Sequence, residues 1–466
     1  MYILVLVLIC IQVLVPAPAS AFSFSSWFGN NDDGSSGTKE RADGSSSRTA
    51  SSTEVSLSDG TDLKPQQPLL DADAWFLTEH EITESRGGIP RSDMSVYTTG
   101  NKVTAYTVTN EFYNAVYDDL NTTKEGDRVM LATWLAALVP FKPDVDPTGA
   151  KSGFKEVFAG IVERGGHASI LGWASIAGGY MPYNIKARDA INSIPKSSIN
   201  GAKAQFIFDD RVNLIASHHQ KTLVIAASNS SENDDQPVAY VGLDDDLLNF
   251  KNPPYEDLPP LDYASSNTTS KLGNQSIQIT RTLSCKYKHY KEFAPKGEIS
   301  LFRARLKAIK NAKNFIYIED QYFVLVPELL DALMEVMPKI QRLIVVTKEQ
   351  TNAFSNAGYI KYLYQNVEPI RSKYPNKFKI YTTKAELGLC IHTKIVIIDD
   401  VYLSIGSANW NRRSMATDSE LNADLVDGDT VESPEGVTVG KLPRDFRIRK
   451  FMEMTGLSYD ELDAMP

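Results

Sequence analysis

Two stretches decide the reading of this chain: SHHQKTLVI, from Ser217 to Ile225, and CIHTKIVIID, from Cys390 to Asp399. Each sets a His, one spacer and a Lys ahead of an apolar run of strand formers. Along a strand successive side chains point to opposite faces, so His219 and Lys221 share one face, as do His392 and Lys394. An imidazole beside an ammonium is a poor core choice, because burying an unpaired Lys is expensive, and a good site choice. The echo continues downstream. Gly406-Ser407-Ala408-Asn409 follows the second strand after a short turn, and Gly242-Leu243-Asp244-Asp245 stands at the matching place in the first round, which sets Asp245 opposite Asn409. Glu420 follows eleven residues after Asn409.

Around these stretches the chain runs through the same pattern twice. In the first round, helical periodicity is predicted over residues 110–120 and 153–163, where Phe154, Val157, Phe158 and Ile161 fall on one face. Strands are predicted at 128–134, 167–173, 221–227 and 238–242. In the second round, Ile299, Phe302, Leu306 and Ile309 recur at helical spacing, further helices cover 329–337 and 359–374, and strands fall at 314–318, 342–347, 377–381, 394–398 and 401–405. Strands alternating with helices imply an α/β fold with mostly parallel sheets covered by helices.

The rest of the chain is read as follows. Residues 1–21 carry an apolar run followed by Ala19-Ser20-Ala21 and read as a secretory signal peptide. Residues 22–70 are mostly a Ser- and Gly-rich stretch that buries too little to offset its ordering entropy, and read as a disordered linker. Residues 71–250 form the first half, 251–290 a Pro-, Asn- and Ser-rich surface connection, and 291–466 the second half. Hydrophobic residues make up 42% of the chain and charged residues 23%, which excludes a wholly disordered protein. The net charge of −10 weighs against a chain whose main task is coating nucleic acid. Three cysteines cannot staple a chain of 466 residues. After signal cleavage Cys285 and Cys390 remain, and two buried free thiols are expected over a disulfide. Sequons stand at Asn121, Asn229, Asn267 and Asn274, where glycans of a secreted chain would sit.

Two His-Lys pairs with a Gly-Ser-x-Asn turn suit phosphodiester cleavage. The two Lys and the Asn409 amide can hold the non-bridging oxygens. One His attacks phosphorus to give a phosphohistidine, and the other protonates the leaving oxygen and then activates water. A carboxylate beside an imidazole fixes its tautomer, and Glu420 is the candidate beside His392. This scheme calls for no metal and no cofactor.

The pattern resembles the HKD signature of the phospholipase D superfamily, complete at His392, Lys394 and Asp399, with Gly406-Ser407-Ala408-Asn409 and Glu420 at the family's spacing. His218-His219-Gln220-Lys221 is similar to the eukaryotic-type first motif, Ile316 to Phe323 to the segment ahead of the second, and Arg444 to Arg449 to a C-terminal helix; the resemblance covers about residues 75–460. It implies a duplicated α/β/α sandwich with a pseudo-twofold and one active site between the halves. It implies His219 as nucleophile and His392 as general acid, with Lys221, Lys394, Asn409 and Glu420 in the site and Asp399, Ser407 and Asp245 in support. The chain departs from the family at Ala226, where the first motif has Asp. On a regular strand that position faces away from His219 and Lys221, and Asp399 likewise has the parity opposite to His392 and Lys394, so the Asp reads as a supporting residue.

The remaining histidines, His80, His167 and His289, read as structural or surface groups, and His218 as a neighbour turned away from His219. The expectation is a secreted, extracellular phosphodiesterase hydrolysing phosphatidylcholine-like phospholipids to phosphatidic acid. It would meet its membrane transiently, without stable insertion or nucleic-acid partner, as a monomer. A nuclease of the same superfamily and a catalytically inactive headgroup-binding relative are the alternatives.

Overall fold

The computed structural model describes residues 63–174, 181–209, 216–226, 273–285, 294–348, 357–383 and 391–465. The signal segment, most of the linker, the strand expected at 238–242, and Asp245, Asn229, Asn267, His289 and Cys390 lie outside these residues.

The strands of the two main sheets are β1 (Thr98–Asn101), β2 (Arg128–Thr133), β3 (His167–Trp173), β4 (Ala204–Asp209), β5 (Thr222–Ala226), β6 (Gln275–Thr282), β7 (Phe315–Asp320), β8 (Arg342–Thr347), β9 (Phe378–Thr382), β10 (Ile395–Ile398), β11 (Tyr402–Gly406) and β12 (Glu420–Asp427). The smaller sheet runs β4-β3-β2-β5, and the larger β1-β6-β12-β11-β10-β7-β8-β9. In the smaller sheet β2, β3 and β4 are parallel and β5 joins β2 antiparallel. In the larger one β7, β8 and β9 are parallel and β10 joins β7 antiparallel. The order β9-β8-β7-β10 thus repeats β4-β3-β2-β5 strand for strand and sense for sense, which is the duplication the two motifs announced.

The expectation of two mostly parallel sheets holds for this repeated unit and not for the whole larger sheet. There β11, β12, β6 and β1 add antiparallel beyond β10. The physical reason is the connection: β10 and β11 are joined by the tight turn at Asp399 and Asp400, both at positive φ (54° and 52°), and a short turn can join only antiparallel neighbours.

The larger sheet is a three-layer sandwich. Alternate residues of its strands face opposite sides: Ile316, Ile318, Leu343, Val345, Val396 and Ile398 meet the core with Leu329, Leu333 and Trp75, while Tyr317, Val346, Ile395, Ile397 and Leu403 meet Phe446 of the helix Lys441–Thr455. The smaller sheet packs under the helices Thr109–Asn121 and Phe154–Glu163, where Phe158 and Ile161 are buried on the face the periodicity marked.

The segment boundaries differ from the sequence reading in three places. Residues 63–70, expected in the linker, are held by the second half: Gln66 and Asn314 exchange two 2.7 Å hydrogen bonds, and Gln67 bonds with the Thr438 backbone. Residues 71–101, expected in the first half, belong to the larger sheet, since Trp75 stacks on Tyr402 at 5.5 Å and β1 pairs with β6. The expected surface connection 251–290 contains β6, an interior strand between β1 and β12. Its polar sequence, QSIQITRT, hid it. Gln278 and Thr280 are buried yet satisfied, Gln278 by the backbone of Leu77 and Val96 and Thr280 by Asp424.

Candidate active site

Both motifs arrive where their sheets end. Ile395, first residue of β10, pairs with Glu319 near the carboxyl end of β7, and Thr222, first of β5, pairs with Ala132 near the carboxyl end of β2. His392 and Lys394 therefore precede β10, and His219 and Lys221 precede β5, at the carboxyl ends of the parallel strands, where α/β sheets commonly bind ligands.

The two motifs meet. Lys394, from the second, depresses the pKa of His219, and His219 and Lys221 depress that of His392. For both rings burial is the largest cause and the ammonium groups come next, so both are held well below the ordinary imidazole range and are neutral near pH 7. Each Lys also folds back on its own motif, Lys221 Nζ donating to the His219 carbonyl at 2.6 Å and Lys394 Nζ to that of His392 at 2.5 Å.

Glu420 opens β12 and is fully buried. Its carboxylate oxygens lie 3.0 and 3.1 Å from Nδ1 of His219, 201 residues away in sequence. Ser407 Oγ donates to Oε2 and Ser414 Oγ to Oε1, both at 2.6 Å. Burial pushes this carboxyl up to about 7, against the pull of Lys221 and the two hydroxyls. When ionised it accepts the Nδ1 proton of a neutral His219, which leaves Nε2 with a free lone pair. The sequence reading put Glu420 beside His392; the structure puts it beside His219, and no carboxylate of the described residues hydrogen-bonds to His392. The reason is backbone pairing across the halves. Ser419 N donates to the Ser217 carbonyl at 3.0 Å and His219 N to that of Ser419 at 2.9 Å, so the residue after Ser419 falls against His219.

Of the supporting residues, Ser407 touches Glu420 directly, whereas Asp399 serves from a distance. Asp399 accepts the backbone N–H groups of Lys313, Asn314 and Phe315 at 2.6 to 2.8 Å, at the far end of β10 from the site. Burial raises it to about 6 despite those bonds. Its counterpart, Ala226, is buried at the end of β5 opposite Arg128, also away from His219. Asn409 is buried, held by Ser414 Oγ at its N–H and by Arg305 at its carbonyl, and its Oδ1 has no hydrogen-bond partner among the described residues. Arg305 also donates to the Ala408 carbonyl and lies over Trp410, and Asp320 accepts the Trp410 N–H, so the Gly-Ser-Ala-Asn turn is clamped from behind.

Trp134 and Trp173 stand at the carboxyl ends of β2 and β3. They stack on each other at 5.9 Å, and Trp134 sits edge-on to His219 at 6.2 Å with the Lys221 ammonium 5.6 Å from its ring. The exposed sequon residues Asn121 and Asn274 donate to the Tyr117 carbonyl and to Asp429, and Cys285 is an exposed free thiol where a buried one was expected.

Two imidazoles, two ammonium groups and a buried carboxylate on one ring define a class of site suited to a phosphodiester. Residues 306–434 match the family described as cardiolipin synthase, PLD-like domain, so this part of the chain is a phospholipase D-like domain and carries the second motif and Glu420. The chain is 27% identical over 154 residues to the major cardiolipin synthase ClsA of Bacillus subtilis, covering 30% of each protein. It is 26% identical over 259 residues to phospholipase D zeta 2 of Arabidopsis thaliana, covering 44% of this chain and 24% of that protein. The matches thus span less than a third of either relative. A phosphatidylserine synthase structure from Haemophilus influenzae aligns over 68% of this chain and 81% of that one, with a TM-score of 0.43 and 13% identity.

Proposed function

We propose that this protein is a secreted phospholipase D-type phosphodiesterase that cleaves phosphatidylcholine-like phospholipids. The single observation that carries the reading is the Glu420–His219 contact inside a cluster that includes both lysines and His392. His219 Nε2 attacks phosphorus as the bond to the headgroup oxygen breaks, and His392 delivers a proton to that oxygen. The lysines and the Asn409 side chain hold the non-bridging oxygens. His392 then takes a proton from water, whose oxygen attacks phosphorus, releasing phosphatidic acid and restoring His219. His392 must be protonated for the first step although burial and the lysines depress it; the bound phosphodiester anion supplies the opposite charge that raises it. The choice of phospholipid rests on likeness to the eukaryotic-type first motif. Secretion rests on the N-terminal apolar run, and encounter with the membrane is transient, by a monomer.

The test is hydrolysis of phosphatidylcholine vesicles in the presence of a primary alcohol. A phosphatidyl-histidine partitions between water and alcohol, so phosphatidyl-alcohol forms alongside phosphatidic acid, and His219→Ala forms neither. Turnover with no alcohol product refutes the covalent route. Cleavage of a short single-stranded oligonucleotide in preference to the vesicles refutes the lipid assignment. Binding of anionic headgroups without turnover refutes the enzyme.

A further inference from the structure

Each motif is also held from its hidden face, by a buried acid that the reaction scheme does not use. His218 and His219 point to opposite sides of their strand segment. On the hidden side Nδ1 of His218 lies 2.6 Å from Oδ2 of Asp209, the last residue of β4, and both side chains are buried. The backbone between them is the bridge to Ser419 that sets His219 against Glu420. In the second motif the residue between His392 and Lys394 is Thr393. Its hydroxyl donates to Oε2 of Glu319 at 2.5 Å, and the other oxygen of Glu319 accepts the Tyr317 hydroxyl at 2.6 Å. Lys450 stands 3.7 Å from the same carboxylate, which is wholly buried.

Burying a carboxylate is costly unless its contacts require it. What the two share is position: one lies behind the residue preceding the nucleophile, the other behind the residue preceding the second ammonium. We infer that Asp209, through His218, and Glu319, through Thr393, are positioning residues, the first setting the nucleophile His219 and the second the general acid His392. The inference rests on the reading of the site given above. Reacting atoms must be held within fractions of an ångström, and a displacement of ~1 Å costs on the order of 100-fold in rate.

The two roles separate by leaving group. A poor leaving group such as the choline alkoxide needs the proton from His392, whereas p-nitrophenolate does not, so a fault in the acid disappears from the burst of p-nitrophenolate release, which precedes the step where His392 activates water, and a fault in the nucleophile persists there. The variants are Asp209→Asn and Glu319→Gln, assayed on phosphatidylcholine and on the p-nitrophenyl ester of phosphatidic acid. Glu319→Gln is expected to lose about 30-fold or more in kcat on phosphatidylcholine and less than about threefold in the burst rate of p-nitrophenolate release from the activated ester; Asp209→Asn is expected to lose about tenfold or more in both. KM changes by less than about threefold in each case, since neither acid touches substrate. Equal losses for Glu319→Gln on the two substrates, or no loss for either variant, overturn the inference. If either variant fails to fold, Thr393→Val and His218→Asn replace them in the same comparison and decide it by the same criteria. His219→Ala is the control: activity in that variant refutes the site assignment itself, whereas its inactivity beside wild-type rates in the positioning variants refutes only the present inference.

Discussion

Replacing Glu420 by Gln separates chemistry from folding. The carboxylate's two oxygens receive three donors: Nδ1 of His219 at 3.0 and 3.1 Å, and the hydroxyls of Ser407 and Ser414 at 2.6 Å. A glutamine has the same shape but offers one oxygen and one NH2 group. One donor must then face another donor. If that donor is His219, the ring turns to the tautomer protonated at Nε2, the atom that must attack. If it is a hydroxyl, the hydroxyl rotates, but the positive charge that builds on His219 in the transition state has lost its counter-charge. A hydrogen bond to a charged group contributes ~1.5–3 kcal/mol, and loss of a buried charged partner costs ~3–5 kcal/mol. At about 1.4 kcal/mol per decade, the expected fall in kcat is on the order of 10²–10³.

Stability moves the other way. Burial raises the folded pKa of Glu420 from 4.5 to about 7. The folded state therefore holds this proton more tightly than the unfolded chain, and lowering the pH from 7 to 4.5 favours folding at this site. Above about pH 7 the cost of the buried charge is fully present; below about 4.5 it is absent. Glutamine carries no such cost, so the variant gains stability over wild type as pH rises through that window, by roughly 3 kcal/mol at pH 8. Because His219 and Glu420 titrate as a pair, the gain belongs to the pair. Denaturant melts at pH 5 and pH 8, beside initial rates on phosphatidylcholine, provide the check. A rate within about threefold of wild type, or a stability loss at pH 8 that parallels the rate loss, refutes the reasoning.

Two further outcomes follow from the same geometry. Lys394 lowers the pKa of His219, His392 and Glu420 together, so Lys394→Met raises all three and moves the acid limb of the kcat/KM profile to higher pH, alongside a loss of phosphate holding of about 100-fold or more; an unmoved or lowered acid limb contradicts this electrostatic account. Asp399→Ala leaves three backbone N–H groups at the start of β7 without their acceptor and is expected to destabilise the fold by ~2–4 kcal/mol, while the kcat of folded protein, measured well below the melting temperature, stays within about threefold of wild type because the carboxylate acts at the far end of β10.

The sequence made most of the scaffold legible because its strands are apolar and its helices amphipathic, which are local signals. The predicted strands at 128–134, 167–173, 342–347 and 401–405 fall within a residue of β2, β3, β8 and β11. Three kinds of element escaped. β6 is polar, and its buried Gln and Thr are stable only because distant segments supply partners. β12 begins with ELNADLVD, whose buried Glu, Asn and Asp mask the alternation. The helix Met181–Asn192 and β4, both ahead of the first motif, are not among the predicted elements, although AQFIFD at Ala204 to Asp209 has a strand's composition.

By itself, then, the amino-acid order determined that each half carries a His and a Lys on one face at the head of a strand, because side-chain alternation is a property of a few consecutive residues. Only the folded chain decided that Glu420 serves His219 and not His392, and that Asp209 and Glu319 stand behind the motifs. Those pairings are made by hydrogen bonds across the sheet ends between segments from 9 to 201 residues apart, and no local periodicity encodes which distant backbone a strand end will meet.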